Sequence, residues 1–466
     1  MSLIQNGAGE SAKNFYNGVA TQSLRFDKPS DPRLFRTPDA GNTRTWTWSC
    51  WIKQSEENPA GDWTLFGQGS TQIIIYQRRL WVNIRPAGTS YYLVLNRLVT
   101  DITAWMHVVV AYDSTQSTAS NRNRIYVNGV EQTSFATNNN VALNTSFEFN
   151  ITNECTIGRN AYNNQNFFDG LMSHIHFIDG TQYNASAFGS VDSVTGEWQI
   201  NTAPSVTYGN NGFFILKDSN SVTDQSGKGN NFTVGGGALT NTEDCPDNVF
   251  STMNVLANFA GQWALFENQN TYVRSAGSGE AFIASTLGIP ATSGKFYTEV
   301  KYTAGGSESN IGLSSTSFPT SSTDFVGKAL NSYSYSQNGE KRFNNNSSSY
   351  GNSYATGDII GIAVDATNSK LYFSKNGVFQ NSGDPTSGAT GTGAISISAT
   401  PTEGFYYMAC SKESGSTKNL YAWNFGNGFF QTSAVSSAGT AGSTPGIFEY
   451  DVPSGYEPLS TKGLNA

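Results

Sequence analysis

Charge is what this chain has least of. Lys, Arg, Asp and Glu together make up 13% of its 466 residues, about half the ~25% usual in soluble domains. The 27 basic residues stand against 35 acidic ones, a formal net charge of −8. That balance argues against nucleic acid as a partner, because phosphate recognition needs clustered Lys and Arg. Long apolar runs are missing too. None approaches the ~20 residues of a membrane-spanning helix, so no membrane insertion is expected. The opening stretch MSLIQNGAGESAKNFYNGVATQSLRF lacks the apolar centre of a signal peptide. The expectation is a soluble chain made in the cytoplasm.

Cysteine is as scarce. Cys50, Cys155, Cys245 and Cys410 stand far apart, which excludes a metal knuckle or a redox pair at readable spacing. They are expected as buried, reduced, small hydrophobes. Sustained 3.6-residue periodicity is absent as well, and with it the signal for amphipathic helices.

What is there is the vocabulary of turns and strands. Glycine is 48 of 466 residues and aromatics reach 13%, with Asn, Ser and Thr filling much of the remainder; such a composition suits short strands and turns rather than helices. In TWTWSCWIK (45–53), Trp46, Trp48 and Cys50 point one way and Thr45, Thr47, Ser49 and Trp51 the other. Two stretches share one layout. WMHVVVAYDSTQSTASNRNRIYVNGV (105–130) and GDIIGIAVDATNSKLYFSKNGVF (357–379) each run from an apolar strand ending in Asp, through a polar loop, to a second strand closed by Asn-Gly. Asn-Gly tolerates the two positive φ angles of a tight hairpin turn. In the second stretch Ile360, Ile362 and Val364 alternate with Ile359, Gly361 and Ala363, apolar enough on both faces for a buried strand. Strands of this kind at short, turn-marked intervals predict an all-β fold: two antiparallel β-sandwiches in tandem.

The predicted organisation is an N-terminal attachment segment over 1–20, a first sandwich over 21–182, an ordered junction over 183–246, a second sandwich over 247–432 and an extended C-terminal tail over 433–466. The one apolar strand of the junction, Phe213 to Leu216, needs a neighbouring sheet to pair with.

The segments SLRFD, TWTWSCWIK, WMHVVVAYD, NRIYVNGV, IGRN and FDGLMSHIHFIDG resemble, in order and spacing, the laminin-G-like, concanavalin-like sandwich. SGKFYTEVKY, NIGLS, NSYSYSQNGEKRFNNN, GDIIGIAVDATNSKLYFSKNG and WNFGNGFF resemble a SPRY domain. Both resemblances imply antiparallel sandwiches of concanavalin-like, jelly-roll type. The junction segments FIDGTQYNASAFG, GEWQ, YGNNGFFILKD, DQSGKGNNFT and DCPDNVFSTMN, with the ending VPSGYEPLSTKGLNA, look like the connecting parts of structural proteins of tailed phages, marine phages especially. The resemblance implies a virion component on the tail or head surface: a tail-fibre or spike-type protein contacting other virion proteins and the host's surface polysaccharide. A symmetric trimer is the assembly such a component implies, although no coiled-coil heptads support one.

Three chemistries compete for site residues. Retaining glycoside hydrolases on this scaffold carry Glu-x-Asp-x-Glu or Glu-x-Asp-x-x-Glu on one strand, and neither pattern occurs in this chain. The chain is therefore read as a non-enzyme. A polysaccharide-degrading spike with a non-standard carboxylate pair is one alternative, and a capsid-decorating cement protein with structural contacts only is another. His174 and His176 share one strand face but have no evident third ligand, so they read as half-buried histidines. Asp113, Asp169 and Asp179, at strand ends where this family often holds rim calcium, do ordinary turn work as well. No metal and no cofactor is assigned. The favoured site is a binding surface on sandwich-end loops: Tyr350 and Tyr354 beside Asn344, Asn345 and Asn346, with Trp63, Tyr91 and Tyr92 in the first sandwich. Aromatic faces stack on sugar C–H patches while amides bridge hydroxyls.

Overall fold

The alternating segment TWTWSCWIK lies in a ten-residue central strand, Thr45–Gln54. The structure, a computed structural model, describes residues 20–465 apart from 58–60, 86–88, 194, 218–220, 238, 259–261, 278, 307, 320, 322 and 437–445. The attachment segment placed at 1–20 lies, but for its last residue, outside the described residues. Trp46, Trp48, Cys50 and Ile52 point into the main core of the first unit, and Thr47, Ser49 and Trp51 are buried against the opposite face. Met106–Asp113 pairs along one side of this strand and Gly170–Asp179 along the other. Among the described residues there is no α-helix, only three-residue 3-10 turns.

The chain divides into two compact units at Asp247 and Asn248. The first unit has two sheets of eight strands. One runs Val130–Glu131, Asn123–Val127, Met106–Asp113, Thr45–Gln54, Gly170–Asp179, Ser23–Phe26, Thr240–Thr242, with Phe213–Ile215 also paired to Gly170–Asp179. The other runs Phe135–Asn138, Tyr91–Leu98, Arg79–Ile84, Thr71–Tyr76, Trp63–Gln68, Cys155–Ile157, Arg33–Arg36, Thr233–Gly235. Their inner faces interdigitate through Trp46, Trp48, Leu65, Ile73, Leu80, Val108 and their neighbours, the packing expected of a sandwich.

The segment read as a separate junction is part of this unit. Phe213–Ile215 joins one sheet, Thr240–Thr242 extends it, and Thr233–Gly235 extends the other. Asp244 is then locked in place by Lys53 Nζ at 2.6 Å and by Trp105 Nε1 at 2.8 Å, in a pair whose side chains are 6% and 0% exposed. The first domain therefore extends beyond 182, because the isolated strand found its partner within the first sandwich.

The second unit has a nine-stranded sheet centred on Lys295–Ala304 and Ile359–Asp365, and a six-stranded sheet centred on Ser309–Ser314 and Phe405–Lys412. Ile360, Ile362 and Val364 enter the core between them. Ala363, on the other face, packs with Tyr297 and Tyr372 beneath Phe448, Val452 and Tyr456 of the C-terminal stretch. Glu457–Pro458 even adds a short parallel pairing to Phe296 and Tyr297. The tail is thus a fitted cover over one face of the sheet, which is why that strand is apolar on both sides.

Both Asn-Gly pairs form the expected turns, with φ of 47° and 79° at Asn128 and Gly129 and of 49° and 80° at Asn376 and Gly377. Each asparagine does a second job. Asn128 Oδ1 accepts from His107 N at 2.8 Å while Asn128 N donates to His107 O at 2.9 Å. Asn376 repeats this with Ile359, at 2.9 Å and 2.8 Å. The glycines are matched as well: a Cβ on Gly129 would strike the Trp198 ring, and one on Gly377 would strike Tyr450. Gly377→Ala is expected to lose stability twice over, from left-handed backbone strain of about 1–2 kcal/mol and from a clash worth roughly 1–3 kcal/mol. Gly404, at φ +79° with open space beside it, is the control. Denaturant midpoints should put Gly377→Ala clearly below Gly404→Ala; equal losses would show that the ring contributes nothing.

Candidate functional site

In the first unit the two outer sheet faces are treated differently. The face carrying Thr47, Ser49 and Trp51 is covered by residues 183–216, with Ala185, Phe188, Tyr208 and Phe214 packed against Val109, Ala111 and Ile178. The opposite sheet carries three partly exposed aromatic rings on its outer face. Along Arg79–Ile84, Leu80, Val82 and Ile84 turn inward, so Arg79, Trp81 and Asn83 turn outward, and Arg85 continues the row. Tyr76 and Tyr92 meet Trp81 edge-on, at centroid distances of 5.3 Å and 6.0 Å. Trp81 Nε1 donates to Tyr76 O at 3.0 Å and fixes the indole. Ile74 and Val94, its cross-strand partners, are 5% and 2% exposed although they lie on this outer face. The Trp81 ring roofs them.

Beside the rings runs a polar row, Gln72, Asn83 and Tyr92, in register across three strands. Asn83 Oδ1 is sheltered from solvent and has no hydrogen-bond partner among the described residues. Flat aromatic faces next to amides offer what a sugar presents back: C–H patches and hydroxyls.

Of the residues chosen from sequence, only Tyr92 joins this row. Trp63 is fully buried against Phe168 at 5.7 Å, edge to face, because its strand is internal to the sheet. Tyr91 leans on the core. Tyr350 and Tyr354 are 6% and 2% exposed, and their hydroxyls are used inside: Tyr350 accepts from Phe373 N at 3.2 Å, and Tyr354 meets Ser309 Oγ at 2.9 Å. These burials remove Trp63, Tyr350 and Tyr354 from any surface role. Asn344 and Asn345 form a hairpin turn with φ of 47° and 62°, and Asn346 begins the exposed edge strand Asn346–Ser349. Sequence reasoning missed Tyr76, Trp81 and Asn83. The alternation in TQIIIYQRRLWVNI was a usable signal, but its turn, Gln77–Arg78, takes φ of 51° and 61° without glycine or asparagine, so the hairpin was unmarked.

The titratable groups are put to structural use. His107 Nδ1 accepts from Trp198 Nε1 at 3.0 Å; an indole N–H can only donate, so the imidazole proton sits on Nε2, facing Ser49 Oγ at 2.8 Å. The ring is stacked between Trp51 and Trp198. His174 and His176 do not sit in a plain strand. A bulge between Ser173 and His176 gives His174 a φ of 49°. His176 stacks on Phe214 at 3.9 Å and bonds the Tyr208 hydroxyl at 3.0 Å. Both are buried, at 1% and 2% exposure, not half-buried as the sequence predicted. Among the described residues no cluster of three His, Cys, Asp or Glu could hold a metal ion. Asp113 accepts from Thr45, Thr115 and Gln116, and Asp179 from Asn42, Asn150 and Asn211. Asp169 lies beside Asp27, where burial raises both carboxyls and Arg25 draws both back down. All four cysteines are buried thiols. In the second unit Glu299, pushed up to about 7 by burial, accepts from the N–H groups of Glu449 and Tyr450 at 2.8 Å and 2.9 Å and so pins the covering tail.

Comparison with known proteins agrees with this architecture. Residues 33–182 match the concanavalin A-like lectin/glucanases superfamily, laminin-G type, and residues 295–404 match the SPRY domain family. A laminin-G-like, concanavalin-like domain is thus followed by a SPRY domain. A Ran-binding proteins 9/10 homolog from Drosophila melanogaster is 29% identical over 103 residues, 22% of this chain and 11% of the relative, so the chain spans only about a tenth of that relative's length. The crystal structure of the SPRY domain of human HERC1 aligns at 16% identity and TM-score 0.28, covering 35% of this chain and 94% of that one. The heptameric SAP-like pentraxin of Limulus polyphemus aligns at 16% identity and TM-score 0.32, covering 48% of this chain and 95% of that one.

The three histidines make the first unit acid-sensitive. Burial holds His107 and His174 down to about 3 and His176 well below the usual 6.5, helped at His107 and His176 by their neighbouring histidines and at His174 by Lys217. The folded state refuses protons that the unfolded chain accepts near pH ~6.5. Stability is therefore intact above that pH and lost as the pH falls toward 3, by up to about 1.4 kcal/mol per pH unit for each histidine. Denaturant midpoints of the first unit's transition should drop steeply between pH 6.5 and 5; a flat profile there would contradict the burial of these rings.

Proposed function

We propose that this chain is a non-enzymatic binding component of a phage particle, of tail-fibre or spike type, which holds host-surface glycan on the outer face of its laminin-G-like domain. One observation carries the reading: Tyr76, Trp81 and Tyr92 stand together, partly exposed, on the outer face of one sheet, while among the described residues the later segment of the domain seals the outer face of the other. The expected site thereby moves from the sandwich-end loops to the face of a sheet. Support for the phage setting comes from the resemblance of the connecting segments and of the C-terminal ending. Support for a non-enzymatic role comes from three of the raised carboxyls: Asp27 and Asp169 are drawn to Arg25, and Glu299 accepts from tail amides.

Trp81→Ala should lower affinity for host-surface polysaccharide at least tenfold, about 1.4 kcal/mol, with the fold unchanged by circular dichroism. Purified chain should release no reducing ends from the same polysaccharide. Wild-type affinity in Trp81→Ala would sink the platform, and reducing-end release would sink the non-enzymatic reading. Binding to other virion proteins without any glycan affinity would favour the cement alternative.

A further inference from the structure

We propose that the polymer held on this face is acidic, a polysaccharide carrying carboxylate or sulfate groups at intervals along its length; this rests on the glycan-binding reading above. The strands of the aromatic-bearing sheet read FATN, YYLVLNRL, RLWVNI, TQIIIY, WTLFGQ, CTI, RLFR and TVG. They contain Arg33, Arg36, Arg79 and Arg97 and not one Asp or Glu, in a chain with 35 acidic residues and 27 basic ones; of these, Arg36 is turned away from the aromatic face, donating to Asn211 O and Asn230 Oδ1. The strands of the partner sheet carry Asp113, Glu131 and Asp179 among their basic residues, so the bias belongs to one sheet and not to the chain. Strands that bring only positive charge to a sheet face favour an anionic ligand over a cationic one; the neighbouring acids stand on the loops, as Glu57 does against Arg78.

Geometry narrows the ligand. Arg79, Trp81, Asn83 and Arg85 form one outward line, so the two guanidinium groups leave the backbone about 20 Å apart, at ~3.4 Å per residue. A single small anion cannot meet both, whereas an extended polymer with repeating anionic groups can. Arg79 is already oriented: its Nη1 donates to Leu95 O at 2.8 Å and to Asn96 O. Neither Arg79 nor Arg85 is ion-paired among the described residues, although nearby Arg78 is taken by Glu57. Guanidinium forks match carboxylate and sulfate oxygens in pairs. Trp81, midway, supplies the flat face for a sugar ring, and the unpartnered Asn83 Oδ1 accepts from a hydroxyl.

The test uses the full chain with four polymers: alginate for carboxylate, heparin for sulfate, dextran as the neutral glycan and single-stranded DNA as a polyanion without glycan character. Alginate or heparin should bind at least tenfold tighter than dextran, with affinity falling as salt rises. Arg79→Gln and Arg85→Gln should each weaken the acidic polymer about fivefold more than they weaken dextran, and should flatten the salt dependence. Trp81→Ala should weaken every glycan. Equal, salt-independent binding of dextran and alginate would overturn the acidic ligand and leave the glycan platform standing. Binding of no glycan, or a Trp81→Ala variant that binds as the parent does, would overturn the platform itself. DNA bound more tightly than either acidic glycan would also overturn the proposal.

Discussion

The structure depends on two Asn-Gly turns, each clamped from three directions. The left-handed backbone admits Asn and Gly, the asparagine amide bonds back to the start of the preceding strand, and an aromatic ring rests where any larger side chain than glycine's would stand. In each unit that ring belongs to the segment following the sandwich: Trp198 in the first, Tyr450 in the second. The turn thus sets the register of the hairpin and also anchors the cover that closes one outer sheet face. Register matters because a slip of one residue would turn the core face of a strand to solvent.

From this clamp follows the asymmetry on which the proposed function rests. A cover held at the Asn-Gly turn runs over the sheet containing that turn, and it brings its own aromatics down onto that sheet. Polar atoms buried beneath it must then be satisfied locally, which is what His107, Trp198 and Ser49 do in the first unit and Glu299 does with tail amides in the second. The other sheet of the first unit is left to present Tyr76, Trp81 and Tyr92 outward. Rings on a strand scaffold are held more firmly than rings on loops, since the neighbouring strands fix their spacing.

Much of the architecture was legible in the residues. The alternation of Trp46, Trp48 and Cys50, the two Asn-Gly hairpins and the need of Phe213 to Leu216 for a sheet partner all have local causes, and each appears in the fold. The candidate site was much less legible. Tyr350 and Tyr354 sit in polar sequence, which reads as exposed loop, yet both chains turn inward because a tyrosine can fill a core when its hydroxyl finds a partner there. Trp81 escaped notice for the opposite reason: its hairpin turns through Gln77 and Arg78, residues that carry no turn signature.

By itself, then, the amino-acid order determined the strands, the turn positions and the tandem sandwich class, because period-2 alternation and left-handed glycine positions act over a few neighbouring residues. Only the tertiary structure decided where each domain ends, which aromatic rings face solvent and which sheet face is sealed. Those outcomes depend on pairings as distant as Lys53 with Asp244 or Glu299 with Glu449. No local pattern records such a partner, since a buried charge or an unpaired strand states a need without naming the residue that meets it.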